Sequence, residues 1–140
     1  MADLSRFVEA QTTVHDTALA ELKRGRKTSH WMWFVFPQIA GLGHSPTARF
    51  YAIVDLDEAR AYLAHPVLGP RLVEAVEAIL ALAGHDARAL FGSPDDLKLR
   101  SSLTLFQAAA PDEPCFEQAL DKYFAGARDP LTLERLKKQL

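Results

Sequence analysis

Helix start and stop signals recur almost from end to end of this 140-residue chain, and they confine it to short helices. Ser45-Pro46 and Asp129-Pro130 each pair an N-cap residue with a proline suited to the first helical position. Ser93-Pro94-Asp95-Asp96 repeats that signature, and Thr13 with Asp16 and Asp55 with Glu58 have capping-box spacing. Gly25, Gly84 and Gly126 stand where helices would stop. Between these marks apolar residues recur three and four apart, as in Val14-Ala18-Leu22, Leu72-Val76-Ile79, Leu99-Leu103-Phe106 and Phe116-Ala119-Tyr123. A strand is conceivable only at Trp31–Phe36, and no partner strand is evident. The pattern predicts an all-α chain, a single domain over residues 1–140 built as a compact bundle of about seven to eight short helices.

Composition narrows the function classes. Sixteen Lys and Arg against eighteen Asp and Glu leave a net charge of −2. A general nucleic-acid coat or a polybasic membrane binder needs a large basic surplus, so neither nucleic acid nor membrane is an expected partner. The longest apolar runs are six residues, far short of the roughly 20 a bilayer span requires. One cysteine, Cys115, excludes an internal disulfide, and the opening Met1-Ala2-Asp3-Leu4-Ser5-Arg6 has no secretory apolar core. A cytoplasmic monomer is the expectation. The five histidines show no metal-ligand spacing, so no metal and no cofactor are implied.

The segment Lys27-Thr28-Ser29-His30-Trp31-Met32-Trp33-Phe34-Val35-Phe36-Pro37-Gln38 holds both tryptophans. A buried Trp or Phe removes about 150–250 Å² from water, so this run is a candidate core centre. On a helix, however, successive side chains turn by about 100°, so six apolar residues cannot all face one neighbour. Either the segment is surrounded, or some rings line a cavity. In the second case Trp31 or Trp33 stacks on a planar ligand, with His30 and Gln38 as hydrogen-bonding partners.

The run Arg6-Phe7-Val8-Glu9-Ala10-Gln11, then Gly25-Arg26-Lys27-Thr28-Ser29-His30-Trp31-Met32-Trp33-Phe34 and Phe36-Pro37-Gln38, resembles the DUF1810 family. Further matches are Ala61-Tyr62-Leu63 with His65-Pro66, Arg100-Ser101-Ser102 and Thr104-Leu105-Phe106, so the likeness spans essentially the whole chain. His15 departs from it, standing where the family pattern has an aromatic. The resemblance implies a compact all-α fold and no known activity.

Several polar residues are candidates for chemistry. Arg26 and Lys27 flank a helix stop, and a cap at Thr28 or Ser29 would place free N–H groups beside them, an arrangement that binds phosphate or carboxylate. Lys98, Ser101, Ser102 and Thr104 put polar groups into a helix whose other face is apolar; either Ser101-Ser102 permits close approach of another helix, or the set faces the Trp segment and Lys98 and Arg100 are anion contacts. Gln11 lies where the core face of the first helix continues, so its amide needs a partner, either backbone in the turn before Thr13 or a ligand. The expected function is binding of a small anionic or phosphorylated, nucleotide-like ligand at the Ser-His-Trp-Met-Trp-Phe segment. The ligand-binding set is Gln11, Arg26, Lys27, Ser29, Trp31, Trp33, Gln38, Lys98, Arg100 and Ser102. The alternatives are an enzyme on the same site with His30 as acid or base, or a helical adaptor that docks another protein. Cys115 is not expected to be a nucleophile, because no His is tied to it.

Overall fold

A computed structural model describes residues 3–139. Helices follow in the order α1 (Ser5–Thr12), α2 (His15–Arg24), α3 (Met32–Val35), α4 (Pro46–Phe50) and α5 (Leu56–Ala64), then α6 (Leu68–Leu80), α7 (Ala87–Phe91), α8 (Asp95–Ala109), α9 (Pro114–Phe124) and α10 (Pro130–Lys138). The described residues are 65% helical and contain no strand. The all-α expectation is met, with ten helices rather than seven to eight, of which seven have at least seven residues. The unread helix is α7, whose signal is Asp86: its carboxylate accepts from the N–H groups of Arg88 and Ala89 at 3.1 Å each.

Most caps act where the spacing puts them. Ser45 Oγ accepts from Ala48 N at 3.1 Å, Asp55 from Glu58 N at 2.8 Å, and Asp129 from Thr132 N at 3.0 Å. Gly25 closes α2 in the left-handed region at φ 83°. Two expected caps fail. Thr13 is the C-cap of α1 and Val14 precedes α2, both with near-helical backbone, so neither adopts the extended conformation in which a hydroxyl reaches forward. Ser93 does not cap α8 either; the preceding residue is Pro94, and Asp95 and Asp96 place negative charge at the positive end of the helix instead. α6 also stops at Leu80, short of Gly84. Side chains of α9 take its last carbonyls: Lys122 Nζ donates to Ile79, Leu80 and Leu82, and Tyr123 Oη donates to Ile79 O at 2.6 Å.

The core is organised around α8. Six successive residues, Ser101 to Phe106, are buried, so this stretch of the helix is enclosed on every side, with α5, α7, α9 and α10 packed against α8. A helix buried all round is normally apolar throughout. Here Ser101, Ser102 and Thr104 supply the small volume that lets neighbours approach, and two of the three hydroxyls are satisfied locally. Ser101 Oγ donates to Leu97 O (3.2 Å) and Asp129 Oδ2 (3.1 Å), while Thr104 Oγ1 donates to Arg100 O (2.8 Å) and accepts from Asp129 N (2.9 Å). The polar stripe of α8 therefore faces α10, not a ligand. Aromatic rings fill the rest: Phe7 meets Tyr62 edge-on at 5.2 Å, and Tyr62, Phe106 and Phe116 follow at 5.3 and 5.9 Å.

The loop between α2 and α3 is held by one carboxylate. Glu21, only 3% exposed, accepts from Thr28 N (2.7 Å), Ser29 N (2.9 Å), Ser29 Oγ (2.6 Å) and Trp31 Nε1 (3.0 Å). Burial alone would raise its carboxyl. The donors, Ser29 first, outweigh that cost and hold it near 2 against an ordinary 4.5.

A depressed folded value makes the stabilisation complete above the ordinary carboxylate range and lost as pH falls through about 2. Glu21→Gln should therefore cost about 2–3 kcal/mol at pH 7. In urea unfolding, the gap to wild type should narrow steadily from pH 4.5 to pH 2. A gap unchanged over that range would show that the carboxylate is not the anchor. A second expectation concerns Gly69, inside α6, where an added Cβ would lie 2.0 Å from the Leu63 carbonyl oxygen. Alanine ordinarily gains about 1 kcal/mol over glycine in a helix. At Gly69 the sign should reverse, with Gly69→Ala destabilising by at least 1 kcal/mol. Gly84→Ala, with nothing within 4 Å, should melt close to wild type.

Candidate functional site

The anion-binding locus read around Arg26, Lys27 and Ser29 exists, but the protein supplies its own anion. The N–H groups of Thr28 and Ser29 point at Glu21 rather than outward, and Trp31 is the N-cap of α3 without a side-chain cap. Lys27 is likewise committed: its Nζ donates to Ser29 O (2.6 Å), pairs with Asp95 (2.9 Å) and lies 4.9 Å from the Trp31 ring. Arg26 is exposed on the outside of this turn, and so is His30.

Core packing claims most of the aromatic segment. Trp31 is fully buried, tied to Glu21 and packed edge-on against Phe91 at 6.3 Å. Met32, Phe34, Val35 and Phe36 are buried with it. Trp31 therefore has no free face for a ligand, which corrects the expectation that the whole Ser-His-Trp-Met-Trp-Phe run is a binding platform. Gln11 is also internal. Its Nε2 donates to Phe34 O (2.6 Å) and Tyr62 Oη (2.9 Å), so its partner is α3 and not the turn before Thr13. Ser102 is buried inside the bundle, with its hydroxyl lacking a protein partner.

The structure does bring together Trp33, Gln38, Lys98 and Arg100. Residues 37–54 cross one end of the bundle and are pinned there by backbone pairing of Ala40 N with Ile53 O and of Ile53 N with Gln38 O, each 2.8 Å. Arg6 reinforces the crossing by donating to Phe50 O (2.8 Å) and Ala52 O (2.9 Å). Two adjoining recesses result, sharing Gln38, Gly43 and Lys98. The first is walled by Trp33, Met32 and Tyr51 and has about 10 Å³ of room, the space of one water. The second, about 360 Å³, lies between Leu42, the N-terminal half of α8 and the start of α10, and Arg100, Ser101 and Asp129 join its lining. Trp33 thus forms a wall, and the room for a ligand is next door.

The electrostatics of the second recess are uneven. Lys98 Nζ lies 3.5 Å from Asp95 and 5.5 Å from the Trp33 ring, but Lys27 holds the same carboxylate more closely. Arg100 donates one hydrogen bond, from Nη2 to Arg128 O at 3.1 Å, and its Nε has no partner. Among the described residues no carboxylate lies within 4.0 Å of that guanidinium. Asp129 is occupied, since its Oδ2 accepts from Ser101, Thr132 N and Thr132 Oγ1. Neither the shared Asp95 nor the lack of a partner for Arg100 had a local signal, because both depend on chain segments brought together by folding.

Two other groups are structural. Burial, with Glu113 and Glu77 nearby, pushes the Cys115 thiol up to about 12, so it stays protonated and inert. His15 Nε2 meets Glu74 at 3.0 Å on the surface. Among the described residues no helix is long and apolar enough to cross a membrane, and no cluster of three metal-ligating side chains occurs.

No curated protein matches the chain. Among solved structures, the conserved hypothetical protein Rv1873 from Mycobacterium tuberculosis, determined at 1.38 Å, is 49% identical, with 96% of each chain covered and a TM-score of 0.95. The family model described as "Protein of unknown function (DUF1810)" matches residues 1–136. On that match, which spans nearly the whole sequence and agrees with the fold above, the chain belongs to the DUF1810 family.

Proposed function

We propose that this protein binds a small anionic ligand, phosphorylated, nucleotide-like or carboxylate, in the recess between the 38–43 turn, α8 and α10. Uncompensated positive charge carries the reading. Two ammonium groups share Asp95, with Lys98 the looser partner, and among the described residues no carboxylate lies within 4.0 Å of Arg100. A cation that lines a concave site with few internal partners gains most from an incoming anion. Gln38 adds a hydrogen-bonding group to the lining. The volume, about 360 Å³, falls within the range of small-molecule sites. Of the residues named from the sequence, Gln38, Lys98 and Arg100 would hold the ligand, and Trp33 would report on it through Lys98. An acid–base role for His30 has no observation in its favour, since it is exposed and lines neither recess.

The test is a thermal-shift and tryptophan-fluorescence titration against nucleotides, sugar phosphates and short carboxylates. Ligand at 100 times its Kd stabilises the native state by about 2.7 kcal/mol, enough to raise Tm by a few degrees. Lys98→Met should weaken binding at least tenfold and leave the unliganded Tm close to wild type. Trp33→Phe should abolish the fluorescence change and keep the thermal shift. Wild type that responds to no member of the panel overturns the proposal.

A further inference from the structure

The second recess is not uniformly polar. Of the five large hydrophobic side chains most exposed among the described residues, two stand on its lips: Leu97 on α8, 55% exposed, and Leu131 on α10, 59% exposed. Leu42 and Pro94 extend the apolar lining. Single exposed leucines are ordinary, but two lining one concavity form a patch that gains by being covered. Helical geometry arranges the charges around it. Leu97 and Ser101 lie four residues apart on one strip of α8, and a turn of about 100° per residue sets Lys98 on one flank of that strip and Arg100 on the other.

From this arrangement we infer that the ligand is an amphipathic anion: an acidic head drawn to the cations flanking the strip, and an unbranched apolar tail laid between Leu97 and Leu131. The inference rests on the anion-binding reading above and specifies its ligand class. Carboxylate and phosphate heads share the chemistry that Lys98 and Arg100 recognise, and a graded tail separates this class from sugar phosphates and free nucleotides, which have none.

Two homologous series test it by calorimetry on the full chain: butanoate, hexanoate and octanoate, then inorganic phosphate, butyl phosphate and octyl phosphate. Each buried methylene should tighten binding about threefold to fourfold. Octanoate should then bind at least 30-fold more tightly than butanoate, and whichever series binds better identifies the head. Leu97→Ser and Leu131→Ser, both at exposed positions where the fold tolerates change, should flatten the chain-length dependence and leave the shortest member unaffected. Lys98→Met should weaken every member by a similar factor. Short anions or sugar phosphates that bind without any dependence on tail length would overturn the amphipathic assignment and leave the anion site standing. Octanol binding as tightly as octanoate would overturn both readings, and so would the absence of binding by every compound in these series and in the earlier panel.

Discussion

A buried carboxylate with four donors sets the conditions for much of this structure. Glu21 sits on the last turns of α2, and the chain after Gly25 folds back so that Thr28, Ser29 and the Trp31 indole all donate to it. An isolated charge removed from water is expensive, and only a full set of hydrogen bonds offsets that cost. Once met, the requirement leaves little freedom: it fixes the path of residues 26–31 and drives Trp31 inward among Phe36 and Phe91. It also aligns Lys27 with Asp95 at the head of α8. The neighbouring cation, Lys98, is then left with the more distant share of that carboxylate. The charge imbalance at the candidate site is thus a downstream effect of where Glu21 lies.

α8 is the second constraint. Its central stretch, Ser101 to Phe106, is enclosed and carries side chains small enough to admit neighbours, and the Ser101 and Thr104 hydroxyls bond to its own backbone or to Asp129. Asp129 acts twice, as the N-cap of α10 and as the acceptor for Ser101, so one carboxylate starts a helix and seats it on the core. That docking builds one wall of the recess and brings Leu131 into the same lining as Leu97. The 37–54 crossing supplies the other wall, held by Arg6 from one side and by Arg135, whose guanidinium donates to Gly41 O, from the other.

Much of the fold was legible in the chain because helix ends are local events. Ser45, Asp55 and Asp129 cap as their spacing indicates, since a side-chain oxygen two or three residues from an N–H needs only its own turn of backbone, and Gly25 ends α2 because it alone adopts the left-handed backbone there without a Cβ clash. Thr13 fails because a cap needs an extended backbone at its own residue and Thr13 is near-helical, while Ser93 fails because α8 begins one residue later, with Pro94 before it. The site was legible only in part. Folding brings Gln38 and Lys98 beside Trp33 and sets Arg100 in the adjoining recess, while Trp31, Ser29 and Lys27 are taken up by internal partners and Arg26 and His30 lie outside.

What the sequence determined by itself is the class of fold and most of the helix boundaries, properties set by residues within a few positions of one another; that Trp31, Met32, Phe34, Val35 and Phe36 are core while Trp33 walls a recess was decided by packing. Only the tertiary structure decided which charges are satisfied. Lys27 and Lys98 are both lysines beside the same carboxylate, and distances of 2.9 and 3.5 Å separate the occupied one from the looser one. The Lys98 pair is a neighbour contact within α8, three residues apart, whereas the Lys27 pair exists only because the 25–31 loop packs against the head of α8. A contact between remote backbone segments is one that no short-range pattern of residues specifies.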